Sequence, residues 1–329
     1  TFQQIAYLVD CYSKKAKVYD FSTYALFVSF FPQLIAGPIV HHKEMMPQFM
    51  DPMNLHVNWD NVAKGLFLFS LGLFKKTYVA DSFAVWASAG FDSSQGISFF
   101  QAWGASLSYS LQLYYDFSAY SDMAIGIALI FNISLPINFN SPYKAVNIQQ
   151  FWRRWHMTLS RWLRDYLYIP LGGSKKSVPK TYFNLFITFL LGGLWHGAGW
   201  TFIIWGALHG SALMLQRAWQ NIGFKIAALP AWILTLLFVN FAWVFFRAET
   251  FTEATYMLEG MVGINGFTVT PGFAQFWNYL TNSESLRIFS SQTQTLIPFV
   301  AFIYISTFGW VALKMPNSMQ LIGFIEYEG

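Results

Sequence analysis

Residues Gly192–Gly210 read GGLWHGAGWTFIIWGALHG, and this stretch decides how the rest of the chain is read. It holds two histidines, His196 and His209, and no acid, lysine or arginine. Almost everything around them is apolar, aromatic or glycine. Such a run belongs in hydrocarbon or in a dry core, where an imidazole calls for a function or a partner. The composition favours hydrocarbon. Of 329 residues, 55% are hydrophobic and 20% aromatic, and only 11% are charged, against roughly a quarter in soluble domains. Mean hydropathy is +0.37. A soluble chain of this length needs more surface charge, so the expected fold is all-α: a polytopic integral membrane bundle.

The net charge of +4 fits the basic bias of membrane loops. Nucleic-acid binding is excluded, because the basic residues do not cluster on a polar, water-facing domain. The lone cysteine, Cys11, rules out an intramolecular disulfide and a cysteine-rich metal site, and it reads as a buried, inert thiol. The chain opens TFQQIAYLVDCY, without Met or a signal-like segment. It reads as a piece that has lost earlier membrane spans.

Outward from the histidine stretch, residues 182–197 and 200–217 form two apolar segments joined at Gly197–Gly199. Residues 228–246 and 295–314 are further spans, and 250–290 reads as an extramembrane excursion. Upstream, residues 62–80 form a span carrying Lys75 and Lys76, and 97–134 is long enough for two helices, the second starting near Asp116. Residues 22–40, STYALFVSFFPQLIAGPIV, are interrupted by Pro32, Gly37 and Pro38. Proline removes a backbone donor and clashes with the preceding turn. Broken backbone at membrane depth must pack in protein or line a cavity, so this segment is expected to be re-entrant or kinked. Residues 41–61 read as interfacial, and 172–180 as a basic loop.

Residues 147–169 form an expected amphipathic interfacial helix. Asn147 with Gln150 three residues later resembles a capping box, and Pro170 and Gly172 end the helix. Trp152, Trp155, His156, Leu159, Leu163 and Tyr166 recur every three or four residues and so share one face. Arg154, Arg161 and Asp165 fall on another, flanked by Arg153 and Arg164. A basic, tryptophan-bearing helix suits a membrane interface. His156 is then either a core histidine satisfied by a backbone carbonyl or a working imidazole. Arg153 and Arg154 contact lipid headgroups or bind an anionic donor such as a coenzyme A phosphate.

Asp116 and Asp122 lie in the apolar run YYDFSAYSDMAIG. Carboxylates in hydrocarbon face the interior and pair, here with Arg153, Arg154 or a lysine, or they line a polar substrate path. His196, between Trp195 and Gly197, is the stronger functional candidate: a neutral imidazole takes a proton from a hydroxyl during acyl transfer. His209 reads as structural. His156 and His196 form a candidate catalytic pair. No third ligand is spaced to join them, so no metal site is expected. There is no Gly-x-Ser-x-Gly elbow and no phosphate loop. A base without a built-in nucleophile suggests direct transfer onto a substrate hydroxyl, with a transient acyl-histidine as the alternative.

The segments FFPQLIAGPI, YYDFSAYSDMAIG, INFNSPY, FWRRWHMTLSRWLRDYLYIPLGG and LWHGAGWTFIIWGALHG together resemble the membrane-bound O-acyltransferase family. They are most similar to its bacterial alginate O-acetyltransferase branch, in order over residues 1–250. The resemblance implies a single membrane domain over 1–329 with a tunnel across the bundle. It implies His196 of Trp195-His196-Gly197 as catalytic and His156 as its companion. Trp195, Asp116 and Asp122 would shape the tunnel. It also implies acetyl-CoA as cytoplasmic donor with no permanently bound cofactor, and a bacterial inner membrane location. A periplasmic SGNH-type transferase would be the partner and an exported polysaccharide such as alginate the acceptor. YIPLGG favours this branch over D-alanyl transfer to teichoic acid. Peptidoglycan O-acetylation is the alternative acceptor chemistry. A transporter is the non-enzyme alternative, since broken helices and intramembrane acids suit one too, although no internal repeat is present.

Overall fold

The structure, a computed structural model, describes residues 2–17, 19–34, 37–93, 97–267 and 293–323. Among these the architecture is all-helical. The upstream helices are α1 (Phe2–Tyr12), α2 (Phe21–Ser29), α3 (His42–Phe49), α4 (Trp59–Phe74), α5 (Asp81–Phe91) and α6 (Phe99–Ile130). They are followed by α7 (Ile148–Arg154), α8 (Met157–Leu163), α9 (Val178–His196), α10 (Trp200–Ile222), α11 (Ala228–Arg247) and α12 (Phe251–Met261), and then by the helix Thr293–Lys314.

The centre of the body is α6, against which α4, α5, α11 and α12 pack. The 97–134 region is one helix of 32 residues rather than two. It starts at a true capping box, in which Ser98 and Gln101 satisfy each other's backbone. The acids that suggested a break do not need one. Lys76 holds Asp116 at 2.8 Å and Lys75 holds Asp122 at 2.8 Å. Both lysines come from a π-helical turn, Lys75–Ala80, that links α4 to α5 without interrupting the helix. Of the two expected partner types, lysine is the one found.

Close packing follows the glycines. A Cβ on Gly65 of α4 would lie 2.5 Å from the Gly126 carbonyl oxygen of α6, so the two backbones touch. The α9–α10 pair is built in the same way: a Cβ on Gly193 would meet the Phe202 oxygen at 2.3 Å, and one on Gly206 the Phe189 oxygen at 2.5 Å. Small residues permit this approach, and the expected turn at 197–199 closes the hairpin.

Segment 22–40 is broken, as its prolines require. Helix α2 stops at Ser29, Phe30 is extended, and Phe31–Gln33 form a single 3₁₀ turn. The 250–290 region divides. Helix α12 packs into the body, with Trp103 Nε1 donating to the Met261 carbonyl at 3.0 Å, while 268–290 lie outside the described residues. Helix α9 begins at Val178, inside the expected basic loop, with Pro179 in its first turn. Cys11 corrects the sequence reading: it is exposed. Ala6 and Asp10, four residues apart, take the buried face of α1, and Cys11 falls outside it.

Among the described residues, Ala228–Arg247 is the one helix long and apolar enough to cross a membrane by length and composition.

Candidate active site

The expected continuous helix over 147–169 is broken at its histidine. Asn147 caps α7 by accepting from the Gln150 N–H at 2.8 Å. The reciprocal half of the box goes to Val146 instead, whose N–H donates to Gln150 Oε1 at 2.8 Å. Helix α7 then ends at Arg154, Trp155 is extended, and His156 takes a left-handed conformation at φ 41° before α8 begins. A left-handed backbone is uncommon outside glycine and is held only when its surroundings impose it. Here residues 138–140 impose it. The Met157 N–H donates to the Asn138 carbonyl at 2.9 Å, and the Asn140 N–H to the Arg154 carbonyl at 2.9 Å. A π-helical turn, Arg164–Tyr168, follows α8. The apolar face still packs as the spacing required, with Trp152, Trp155, His156, Leu159 and Leu163 all buried.

The His156 ring is fixed on several sides. Its Nδ1 lies 3.0 Å from Asn138 Oδ1, the Phe117 ring meets it edge-on at 4.7 Å, and Phe139 stacks at 6.5 Å. The satisfying partner is therefore a side-chain amide and not a backbone carbonyl.

His196 is the last residue of α9 and is only partly buried. Aromatic rings position it: Trp195 at 4.7 Å, Phe246 of α11 at 5.0 Å and Trp205 of α10 at 5.1 Å. Its ring has no hydrogen-bond partner among the described residues. No ring contact or hydrogen bond joins His156 to His196 among the described residues; the link is a row of rings, with Trp205 of the His196 cage stacking on Trp243 at 5.9 Å and Trp243 meeting Trp155, the neighbour of His156, at 5.0 Å. His209 is fully buried and accepts from Trp152 Nε1 at 3.2 Å, in keeping with a structural role.

The other candidates separate. Asp122 is buried on its lysine, beside Ser121, whose Oγ accepts from Asn138 Nδ2 at 3.3 Å. Asp116 is half-exposed on Lys76. Trp195 is 48% exposed and packs on Phe2 at 4.7 Å. The two arginines point to different tasks. Arg154 Nη1 donates to the Asn140 carbonyl at 3.3 Å and so braces the break. Arg153 instead lines an open cavity of about 520 Å³, together with Arg161, Arg164, Trp152 and Met157. Arg161 is paired with both oxygens of Glu44, and Arg164 with Asp165, which leaves Arg153 as the unpaired cation of these three. The cavity reaches the α7–α8 break at Met157 and Thr158, but neither His156 nor His196 lines it.

Two groupings escape the sequence reading. Asp10, His41 and His42 place one donor atom each within 4.8 Å of one another, a set chemically able to hold a metal ion. The same oxygen, Asp10 Oδ2, already takes His42 Nε2 at 3.0 Å, the Tyr166 hydroxyl at 3.1 Å and Lys43 Nζ at 3.5 Å, which clamps α1, α3 and the turn after α8 together. The second is Asn138, inside the quoted INFNSPY motif but without an assigned role. Nothing in spacing alone joins either set: Asp10 lies 32 residues from His42 and 156 from Tyr166, and Asn138 lies 18 from His156.

An all-helical body with one imidazole held by a buried amide, a second left without a hydrogen bond in an aromatic cage, and a basic-rimmed cavity beside the first, suits group transfer more readily than a binding module. Residues 6–258 match the membrane-bound O-acyltransferase (MBOAT) family, and the chain belongs to it. A peptidoglycan O-acetyltransferase of Helicobacter pylori is 56% identical over 298 residues, covering 82% of this chain and 56% of the relative. A probable alginate O-acetylase, AlgI, of Pseudomonas aeruginosa is 44% identical over 263 residues, covering 79% and 50%. A teichoic acid D-alanyltransferase of Bacillus subtilis is 26% identical over 240 residues, covering 68% and 61%. The chain thus spans about half the length of the first two relatives. The resemblance read from the motifs holds at the level of the family.

Proposed function

We propose that this chain is the histidine-bearing part of an O-acetyltransferase that crosses a bacterial inner membrane several times and transfers acetyl groups toward cell-envelope glycan hydroxyls. The observation that carries the reading is His196, partly exposed, ringed by Trp195, Trp205 and Phe246, and connected through Trp205 and Trp243 to Trp155 beside His156. The family match favours acyl transfer over transport. Large apolar side chains exposed on α10 and α11, such as Trp200, Leu215 and Leu234, support burial in lipid.

The donor is acetyl-CoA from the cytoplasm, its phosphates drawn to Arg153 at the rim of the cavity. His196 takes the proton of an acceptor hydroxyl as the hydroxyl oxygen attacks the thioester carbonyl. The new ester C–O bond forms, the C–S bond breaks, and the proton leaves with the coenzyme A sulfur. His156 assists this transfer. Trp195, Asp116 and Asp122 shape the path across the bundle. The acceptor hydroxyl of this step belongs to a periplasmic transferase of SGNH type, whose ester is then cleaved as a glycan hydroxyl attacks it, forming the glycan ester and restoring the transferase hydroxyl.

Peptidoglycan and alginate are both open as final acceptor. The higher identity to the peptidoglycan enzyme makes that acceptor the first to assay. Ester-linked acetate released by mild base from purified peptidoglycan and from secreted polysaccharide, in cells carrying the wild-type gene or His196→Ala, tests both. Loss of acetate from one polymer identifies the acceptor, and no loss from either rejects the reading. The reading also places the loop at Lys175 on the cytoplasmic side. A cysteine at Lys175, in a Cys11→Ser background because Cys11 is itself exposed, should resist impermeant maleimide added to spheroplasts. Efficient labelling would invert the orientation.

A further inference from the structure

Asn138 is buried, 1% exposed, and its side-chain amide is engaged at both ends. Oδ1 faces three groups: His156 Nδ1 at 3.0 Å, the Thr158 hydroxyl at 3.0 Å and the Thr158 backbone N–H at 3.3 Å. At the other end Nδ2 donates to Ser121 Oγ at 3.3 Å. A backbone N–H is always a donor, so the amide atom facing Thr158 has to be oxygen. Which way an Asn amide points is ordinarily a matter of inference; here the Thr158 backbone settles it. An amide oxygen only accepts. The imidazole nitrogen beside it must then carry the proton, and in a neutral ring the other nitrogen carries the lone pair.

We propose that Asn138 is the positioning residue of His156, holding its neutral ring as the Nδ1–H tautomer so that Nε2 alone is the basic atom. The backbone and side chain of Asn138 serve the same end. Its carbonyl pins the Met157 N–H and with it the left-handed turn at His156, while its amide orients the ring that this turn presents. Thr158 extends the frame to a distant segment, since its hydroxyl also accepts from the Ile39 N–H at 3.0 Å. Ring orientation by a hydrogen bond to the opposite nitrogen is how imidazoles are prepared for proton transfer elsewhere. The functional consequence rests on the acyl-transfer reading above; the tautomer does not.

The test is nitrogen-15 NMR of the full chain, labelled at histidine and reconstituted in phospholipid nanodiscs, with His156→Gln used to assign the His156 signals. The expected spectrum shows a protonated, pyrrole-type Nδ1 and an unprotonated, pyridine-type Nε2. Asn138→Leu removes the acceptor and should abolish that pattern. Asn138→Asp keeps an acceptor and should preserve the proton on Nδ1. Acetyl transfer should fall by about 10²-fold in Asn138→Leu, within the range for losing an acid–base group, and be largely retained in Asn138→Asp. A wild-type ring protonated on Nε2 alone overturns the proposal without any variant having to fold, and so does an unchanged His156 pattern in Asn138→Leu. If the tautomer behaves as stated while transfer survives in Asn138→Leu, the positioning stands and the catalytic role given to His156 is the part that fails.

Discussion

His156 sits in a break between two short helices and takes its orientation from hydrogen bonds, whereas His196 ends a helix of 19 residues and takes its orientation from ring contacts. The first is buried between the Phe117 and Phe139 rings, with its Nδ1 on the Asn138 amide. The second stands at the edge of an aromatic cage, part-exposed, on a hairpin whose two backbones touch at glycines. The difference suggests a division of labour. A ring held by directed bonds has one usable nitrogen and one direction. A ring held by packing has no proton committed to a neighbour and keeps both nitrogens available for transfer.

The contrast breaks first at His196. His196→Ala should reduce acetyl transfer by about 10²–10⁴-fold with the protein at normal abundance in the membrane, because no hydrogen bond among the described residues depends on that ring. Acetate content of the acceptor polymer, read beside an immunoblot of the membranes, gives the answer. Normal acetylation at normal abundance would remove His196 from the chemistry, and loss of the protein would make the ring structural. His156→Ala should lower transfer less than His196→Ala, by about 10²-fold, at the bottom of the same range. It should also lower thermal stability, since it frees the Asn138–Thr158 frame. Equal damage from both variants, with no stability difference, would erase the distinction between them.

Packing is probed at Gly206. A valine there drives its Cβ toward the Phe189 carbonyl oxygen, 2.5 Å away even before the γ-carbons are added. The hairpin must separate, at a cost of about 1–3 kcal/mol or more. The melting temperature in detergent should drop, and transfer should fall with it because His196 moves. A variant with unchanged melting and activity would show that the glycine contact does not position the ring. The smallest effect is expected at Arg153. Arg153→Ala should raise the KM for acetyl-CoA by roughly two- to fivefold, the scale of an exposed ion contact, and leave turnover unchanged. Arg154→Ala, which loosens the break, should instead act on turnover.

Much of this arrangement is legible in the sequence. The α9–α10 hairpin, the helix over 228–247 and the interruption of 22–40 follow from apolar length, glycine and proline. The buried face of residues 152–163 follows from three- and four-residue spacing, and it survives the break because α7 and α8 both lay that face inward. The break itself is not legible, because its cause is a segment passing alongside: residues 138–140 take hydrogen bonds that a continuous helix would have kept. The single helix α6 was hidden for the opposite reason. Its acids look like interruptions until Lys75 and Lys76 are placed opposite them by a π-helical turn that no local pattern announces. Asp10, His41 and His42 are ordinary in sequence and meet only when α1 and α3 pack.

Helix α6 also sets a demand on its surroundings. At about 1.5 Å per residue, its 32 residues measure roughly 48 Å, whereas the hydrocarbon layer of a bilayer is about 30 Å thick. In the membrane orientation proposed above, some 18 Å of rod has to be absorbed by inclination, by projection into the headgroups, or by local swelling of the lipid. Because α4, α5, α11 and α12 are packed on α6, they share whichever adjustment is made. In that orientation the thickness of the host bilayer acts on α4, α5, α6, α11 and α12 as one unit, and lipids of different chain length become a means of tilting that unit without altering a residue.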